Sequence, residues 1–223
     1  MDTIIDAFAD KAKRYLHHID TRRVFPAAED LQKMQALDVP LQEDPIDALA
    51  VIEELDALAA PATVASTGRR YFGFVVGGVL PAPLAANLLA GVWDQNAGIE
   101  AASPIGAYLE TVCRKWLIDL LQLPAQTQVG FVTGATMANF TGLAAARHAL
   151  LKQVGWDVEE DGLFDAPPIR VIVGEEVHAS LLKALSMLGL GRKRVMRIPV
   201  DDQGRMKAQL IPRDSEPTII CVQ

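Results

Sequence analysis

An α/β fold is what this 223-residue sequence predicts: a mainly parallel sheet with helices on both faces, preceded by a helical arm. Three observations lead there. From Val129 onward, apolar β-forming runs alternate with helical patterns, in the order strand, helix, strand, helix, strand. Ile169 to Val173 is a continuous apolar run broken only by Arg170 and closed by Gly174, as a strand buried on both faces requires. Gly134, Ala135 and Thr136 form a small-residue turn between an apolar run and a helical pattern, so that backbone N–H groups and the positive end of a helix dipole are uncovered together. Taken alone, that turn serves an ordinary capped helix as well as it serves an anion.

Composition sets the limits. At 50% hydrophobic and 22% charged the chain can bury a sizeable core and has no disordered bias. A net charge of -7 excludes a general nucleic-acid binder and a protein held by charge on an anionic membrane, which leaves small molecules as partners. No apolar run is long enough to span a bilayer, and Asp2, Asp6 and Asp10 contradict a signal peptide, so a cytoplasmic location is expected. Cys113 and Cys221 lack metal-like spacing and are read as packing residues without a disulfide.

In chain order, Ile4, Ile5, Phe8, Ala12, Tyr15 and Leu16 mark an amphipathic helix. His17 and His18 follow it; being adjacent they cannot share a helix face, which argues against a zinc pair. Short helical pieces follow the Arg22 to Pro26 connector, and Pro45 and Pro61 bracket a helix over Ile46 to Ala60. Residues 1–68 thus read as a helical arm whose apolar faces need cover, from a partner or from the chain's own core, and 69–223 as the first part of a large ligand-binding domain. Arg69 to Phe74 mixes charge with aromatics, as a pocket-lining loop or a surface turn does. Leu80 to Trp93 reads as a helix, Ser103 and Pro104 as the start of another reaching Leu121, and residues 155–168 as an acidic, exposed connection. Val129, Phe131 and Val132 suit the central strand, and Thr136 the cap of the helix after it. Downstream, Ser180 is placed to cap a helix from Leu181 that stops at Gly189. Val195 to Val200 and Thr218 to Val222 are further strands, with a helix start at Met206 to Leu210 between them. A chain that stops at Gln223, on a strand end, implies a fragment of a larger enzyme or one half of a two-chain protein.

Three segments in order, SPIGAYLE at Ser103 to Glu110, TGATMANFTGLAAAR at Thr133 to Arg147 and VHASLLKALSMLGLG at Val177 to Gly191, resemble the group II pyridoxal-phosphate-dependent decarboxylases, the family of the aromatic amino acid and glutamate decarboxylases. The resemblance runs from about Arg70 to the last residue. It implies a fold type I architecture, pyridoxal 5'-phosphate as cofactor and decarboxylation of an L-amino acid. It also implies a homodimer whose active site lies near the subunit interface, with N-terminal helices lying across the partner subunit. By the same resemblance Ala135 and Thr136 hold the cofactor phosphate and His178 stacks on its ring. Gln223 falls where relatives place a residue close to the ring, and Tyr71, Phe72 and Asn96 fall on the substrate side. The family's Schiff-base lysine lies beyond Gln223; Lys183 sits one turn into a helix at a noncatalytic family position and is rejected for that role. The catalytic apparatus would be completed by a C-terminal half.

Two other readings stay open. One is another fold type I enzyme, a lyase or aminotransferase, which shares this half of the site. The other is a noncatalytic interaction protein that retains the fold and the dimer surface. A nicotinamide fold is improbable, since no Gly-x-Gly-x-x-Gly follows a strand.

Overall fold

The structure is a computed structural model that describes residues 1–222; Gln223, expected beside the cofactor ring, lies outside them. The chain forms two compact units, Met1–Asn96 and Ala97–Gln223.

In the first unit, α1 (Asp2–His17) packs against α3 (Ala48–Ala59), with α2 (Ala28–Lys33) and a 3-10 turn between them in sequence. The contact is polar and specific. Arg14 pairs with Asp56, Tyr15 shares a 2.8 Å hydrogen bond with Thr63, and Arg22 donates to the Ala60 carbonyl at 2.6 Å while lying 4.4 Å from the centre of the Tyr15 ring. Part of the arm therefore finds cover within its own chain, while Ile5, Phe8 and Leu16 stay exposed. Asp47 caps α3 by accepting from the Leu49 and Ala50 amides, so the helix starts two residues later than Pro45 suggests: a carboxylate that satisfies two orphan amides fixes the boundary better than a ring that removes one. The unit closes with α4 (Pro81–Trp93), which ends on Asp94 in the left-handed conformation.

The second unit opens with α5 (Pro104–Leu120), capped by the buried Ser103 hydroxyl, which accepts from the Gly106 amide at 3.2 Å. Then come α6 (Ala135–Gln153), β1 (Arg170–Gly174), α7 (Ala179–Met187), β2 (Met196–Ile198) and β3 (Thr218–Cys221). All strand pairs are parallel, in the order β2-β1-β3, with Ile172 opposite Met196 on one side and Ile220 on the other. The core lies between the sheet and helices α6 and α7: Val171, Val173 and Ile219 face Leu143 of α6 and Ala184, Leu185 and Leu188 of α7 and its cap. The acidic connection after α6 is tied back to it through His148 with Glu159 at 2.5 Å, and is braced within itself by the Trp156 indole donating to the Gly162 carbonyl at 2.9 Å. Burial pushes the Cys221 thiol up, in keeping with a packing residue. Among the described residues no helix is long and apolar enough to cross a membrane.

Two expected elements differ. Val129 to Val132 enters no sheet, and Phe131 and Val132 are exposed, because no described strand lies alongside to accept its ladder bonds. Met206 to Leu210 gives only a 3-10 turn over Ala208–Leu210, after Met206 pairs with Val200 in an antiparallel bridge that holds the backbone extended.

At the start of β1, the Arg170 guanidinium meets Asp214 through two bonds of 3.0 and 2.5 Å, Glu216 at 3.0 Å and the Thr218 hydroxyl at 3.1 Å. The Arg170 bond, helped by the Glu216 amide, holds the Asp214 carboxyl below its ordinary range. A carboxylate depressed in the fold stabilises it fully above the unfolded value of about 3.9, and that contribution fades as pH falls through the lower folded value. Acid should therefore lower the urea midpoint of the natural chain more than that of Asp214→Asn between about pH 5 and pH 2. Equal acid sensitivity of the two would show that this pair adds nothing.

Candidate cofactor site at the N-terminal ends of α6 and α7

Helix α6 begins at a glycine for a conformational reason. Gly134 sits at φ 157°, ψ 177°, a region essentially closed to side-chain-bearing residues, and a Cβ built there would meet nothing within 4 Å. The helix boundary is therefore Gly134, not Thr136, which is the second helical residue and makes no cap bond. Among the described residues no side chain caps α6, so no side-chain oxygen there claims its first amides, Ala135 and Thr136 among them. Ala135 is exposed and Thr136 half-buried.

Helix α7 begins differently. His178 itself is its N-cap, its Nδ1 accepting from the Ser180 amide at 3.1 Å. Sequence reasoning placed the cap at Ser180 because imidazole is seldom counted among caps. Nδ1, however, is bonded to Cγ as the oxygens of Asp and Asn are, and has the same reach.

The two helix starts are joined. The Asn139 amide donates to the Ser180 hydroxyl at 3.0 Å, and that oxygen lies 2.8 Å from His178 Nδ1. Eight residues further along each helix segment, Arg147 donates to the Leu188 carbonyl at 3.1 Å. Both contacts link residues 41 apart, so α6 and α7 run side by side in the same direction with their N-termini at one end. That end is also where β1 finishes, four residues before His178. The chain passes from β1 to β2 on one side and returns to β3 on the other, a reversal of strand order of the kind that opens a ligand crevice at carboxyl ends in parallel sheets. Asn139 was not singled out in the sequence; an Asn one turn into a helix has no visible purpose until its partner, 41 residues on, is known.

Tyr71, Phe72 and Asn96 belong to the first unit. Tyr71 is half-buried, its amide donating to the Gly68 carbonyl at 3.1 Å, whereas Phe72 is 93% exposed. Asn96 follows the left-handed Asp94 at the end of α4 and is exposed. Lys183 is exposed on α7. Among the described residues no group of three or more His, Cys, Asp or Glu is placed to hold a metal ion.

A parallel α/β unit with two helix N-termini beside a strand end is an arrangement able to receive an anionic group. Residues 30–222 match the family described as the pyridoxal-dependent decarboxylase conserved domain, and the chain belongs to that family. The aromatic-L-amino-acid decarboxylase of Bos taurus is 28% identical over 221 residues, covering 93% of this chain and 43% of that protein. The acidic amino acid decarboxylase GADL1 of Xenopus tropicalis is 25% identical over 191 residues, 86% of this chain and 35% of that protein. In fold, the chain is similar to the glutamate decarboxylase domain of the diaminobutyrate-pyruvate transaminase and L-2,4-diaminobutyrate decarboxylase from Vibrio parahaemolyticus, with a TM-score of 0.84 at 20% identity over 93% of this chain and 46% of that one. The chain spans less than half the length of these relatives.

Proposed function

We propose that this chain supplies the phosphate cradle and the ring platform of a pyridoxal-phosphate-dependent L-amino acid decarboxylase, a carboxy-lyase of amino acid metabolism. The observation that supports it most is the Asn139–Ser180–His178 chain of hydrogen bonds, which links the imidazole to the first turns of α6. The donor set suits the group: a phosphate dianion takes backbone N–H groups and a hydroxyl at a helix N-terminus, and α6 offers both without a competing cap. When bound, pyridoxal phosphate supplies the electron-accepting ring that makes loss of carbon dioxide from an amino acid possible. Ala135 N–H and the Thr136 N–H and hydroxyl hold the phosphate, and His178 sets the face on which the ring rests. Tyr71, Phe72 and Asn96 serve the substrate side, and Gln223 the ring. The lysine for the aldehyde and the acid for the ring nitrogen come from a C-terminal half. Two copies of the complete protein form a homodimer across the exposed apolar residues Ile5, Phe8 and Leu16 of the arm. A monomer in sedimentation of the complete protein would remove the dimer from this reading.

The binding test uses pyridoxine 5'-phosphate, which has no aldehyde and so cannot react with surface lysines. Titrated into the chain, it should move the amide resonances of Ala135 and Thr136 and the ring resonances of His178. Thr136→Val removes one charge-assisted bond, about 1.5–3 kcal/mol, and should weaken binding by roughly ten- to a hundredfold without unfolding the chain. Shifts confined to residues away from α6 and α7 would defeat the proposal.

A further inference from the structure

We infer that Asn139 and Ser180 are positioning residues for His178: together they fix its ring in the Nε2–H tautomer and tie it to the first turns of α6. The functional meaning of this rests on the cofactor reading above; the chemistry does not. The hydrogen bonds leave one consistent arrangement. The Ser180 amide can only donate, so Nδ1 of His178, 3.1 Å away, carries no proton. The Asn139 amide nitrogen can only donate, so the Ser180 oxygen accepts from it at 3.0 Å and its own proton is free to turn to Nδ1, 2.8 Å away. A neutral imidazole with Nδ1 bare holds its proton on Nε2.

Two donors converging on one nitrogen restrict rotation of the ring, since turning it breaks both bonds at once. The second donor is itself oriented by α6, because Asn139 lies three residues after Thr136, about one turn along the same helix. The turn proposed to hold the phosphate and the ring proposed to support the cofactor are thereby coupled through one half-buried amide. Ser180 alone would leave its hydroxyl free to swing away; Asn139 commits its direction.

The experiment reads the tautomer directly. In the 15N-labelled chain at about pH 8, above the ordinary imidazole range, a long-range proton–nitrogen correlation spectrum separates bare from protonated ring nitrogens, and His178→Gln assigns the His178 signals among the 4 histidines. The natural chain should show Nδ1 bare and Nε2 protonated. In Asn139→Asp the new carboxylate can only accept, so it draws the Ser180 proton to itself and turns an oxygen lone pair toward Nδ1. The Ser180 amide still donates to Nδ1, so the tautomer should stay, but Nδ1 loses its second donor and its signal should move further from the protonated position. Ser180→Thr keeps the hydroxyl and should leave the spectrum unchanged. A proton on Nδ1 in the natural chain, or an Nδ1 signal unmoved in folded Asn139→Asp, overturns the inference. Should Asn139→Asp not fold, Ser180→Ala removes the second donor and should move the Nδ1 signal in the same direction, and no movement there is equally decisive against it. None of these spectra needs a cofactor, whereas the cofactor reading fails on its own if pyridoxine 5'-phosphate leaves the His178 ring signals in place.

Discussion

Leu185→Ala should cost about 2–5 kcal/mol of stability, while Lys183→Ala, two residues earlier on the same helix, should change it by no more than about 0.5 kcal/mol. Leu185 is fully buried, and it stands where α7 meets β1 and α6, against Val171, Val173 and Leu143. Cutting it back to a methyl removes apolar surface from the one continuous core of the second unit and leaves a void that rigid neighbours fill only in part. Lys183 points its charge to solvent, so its removal changes little beyond helix propensity. Urea unfolding would show the difference as a lower midpoint with an unchanged slope for Leu185→Ala. Comparable losses for the two variants would mean that α7 does not lie on the sheet as described. The control also bears on chemistry: an exposed lysine that can be removed without structural consequence is one that the fold does not hold in place.

What could be read from the sequence follows how local the physics is. Ser103 with Pro104 at the start of α5, Pro81 at the start of α4 and the end of α3 before Pro61 were legible because caps and prolines act within a few residues. The run at β1 was legible because its side chains are buried on both faces, and the left-handed Gly189 beyond α7 because glycine takes that conformation at little steric penalty. Val129 to Val132 was misread because β propensity describes a residue's fitness for a ladder, not the presence of a neighbour to complete one. The cofactor end of the unit was legible only in part. His178 and Thr136 stood out by resemblance, but the contact between their helices depends on Asn139 and Ser180, and no periodicity reports a side-chain bond across 41 residues.

Gly134→Ala should damage ligand binding more than it damages the fold. The added methyl would touch nothing within 4 Å, so crowding is not the difficulty; the difficulty is a backbone at φ 157°, ψ 177°, where an alanine carries about 1–3 kcal/mol of strain. The chain can relieve that strain by rotating the peptide ahead of Ala135, since no side-chain cap bond holds it and the rotation loses only the bond that the Gly134 carbonyl accepts from the Ala138 amide at 3.0 Å. Relief of this kind re-aims the Ala135 and Thr136 amides while leaving Leu143, two turns further on and buried against the sheet, where it is. Stability should fall by less than the full strain, and affinity for pyridoxine 5'-phosphate by about tenfold or more, since each 1.4 kcal/mol of misdirected hydrogen bonding is a factor of ten. Titration followed on the Ala135 and Thr136 amides, beside a thermal melt of the same sample, separates the two effects. If Gly134→Ala binds the phosphate as tightly as the natural chain, the uncapped start of α6 is an ordinary helix end and the cradle must be sought elsewhere.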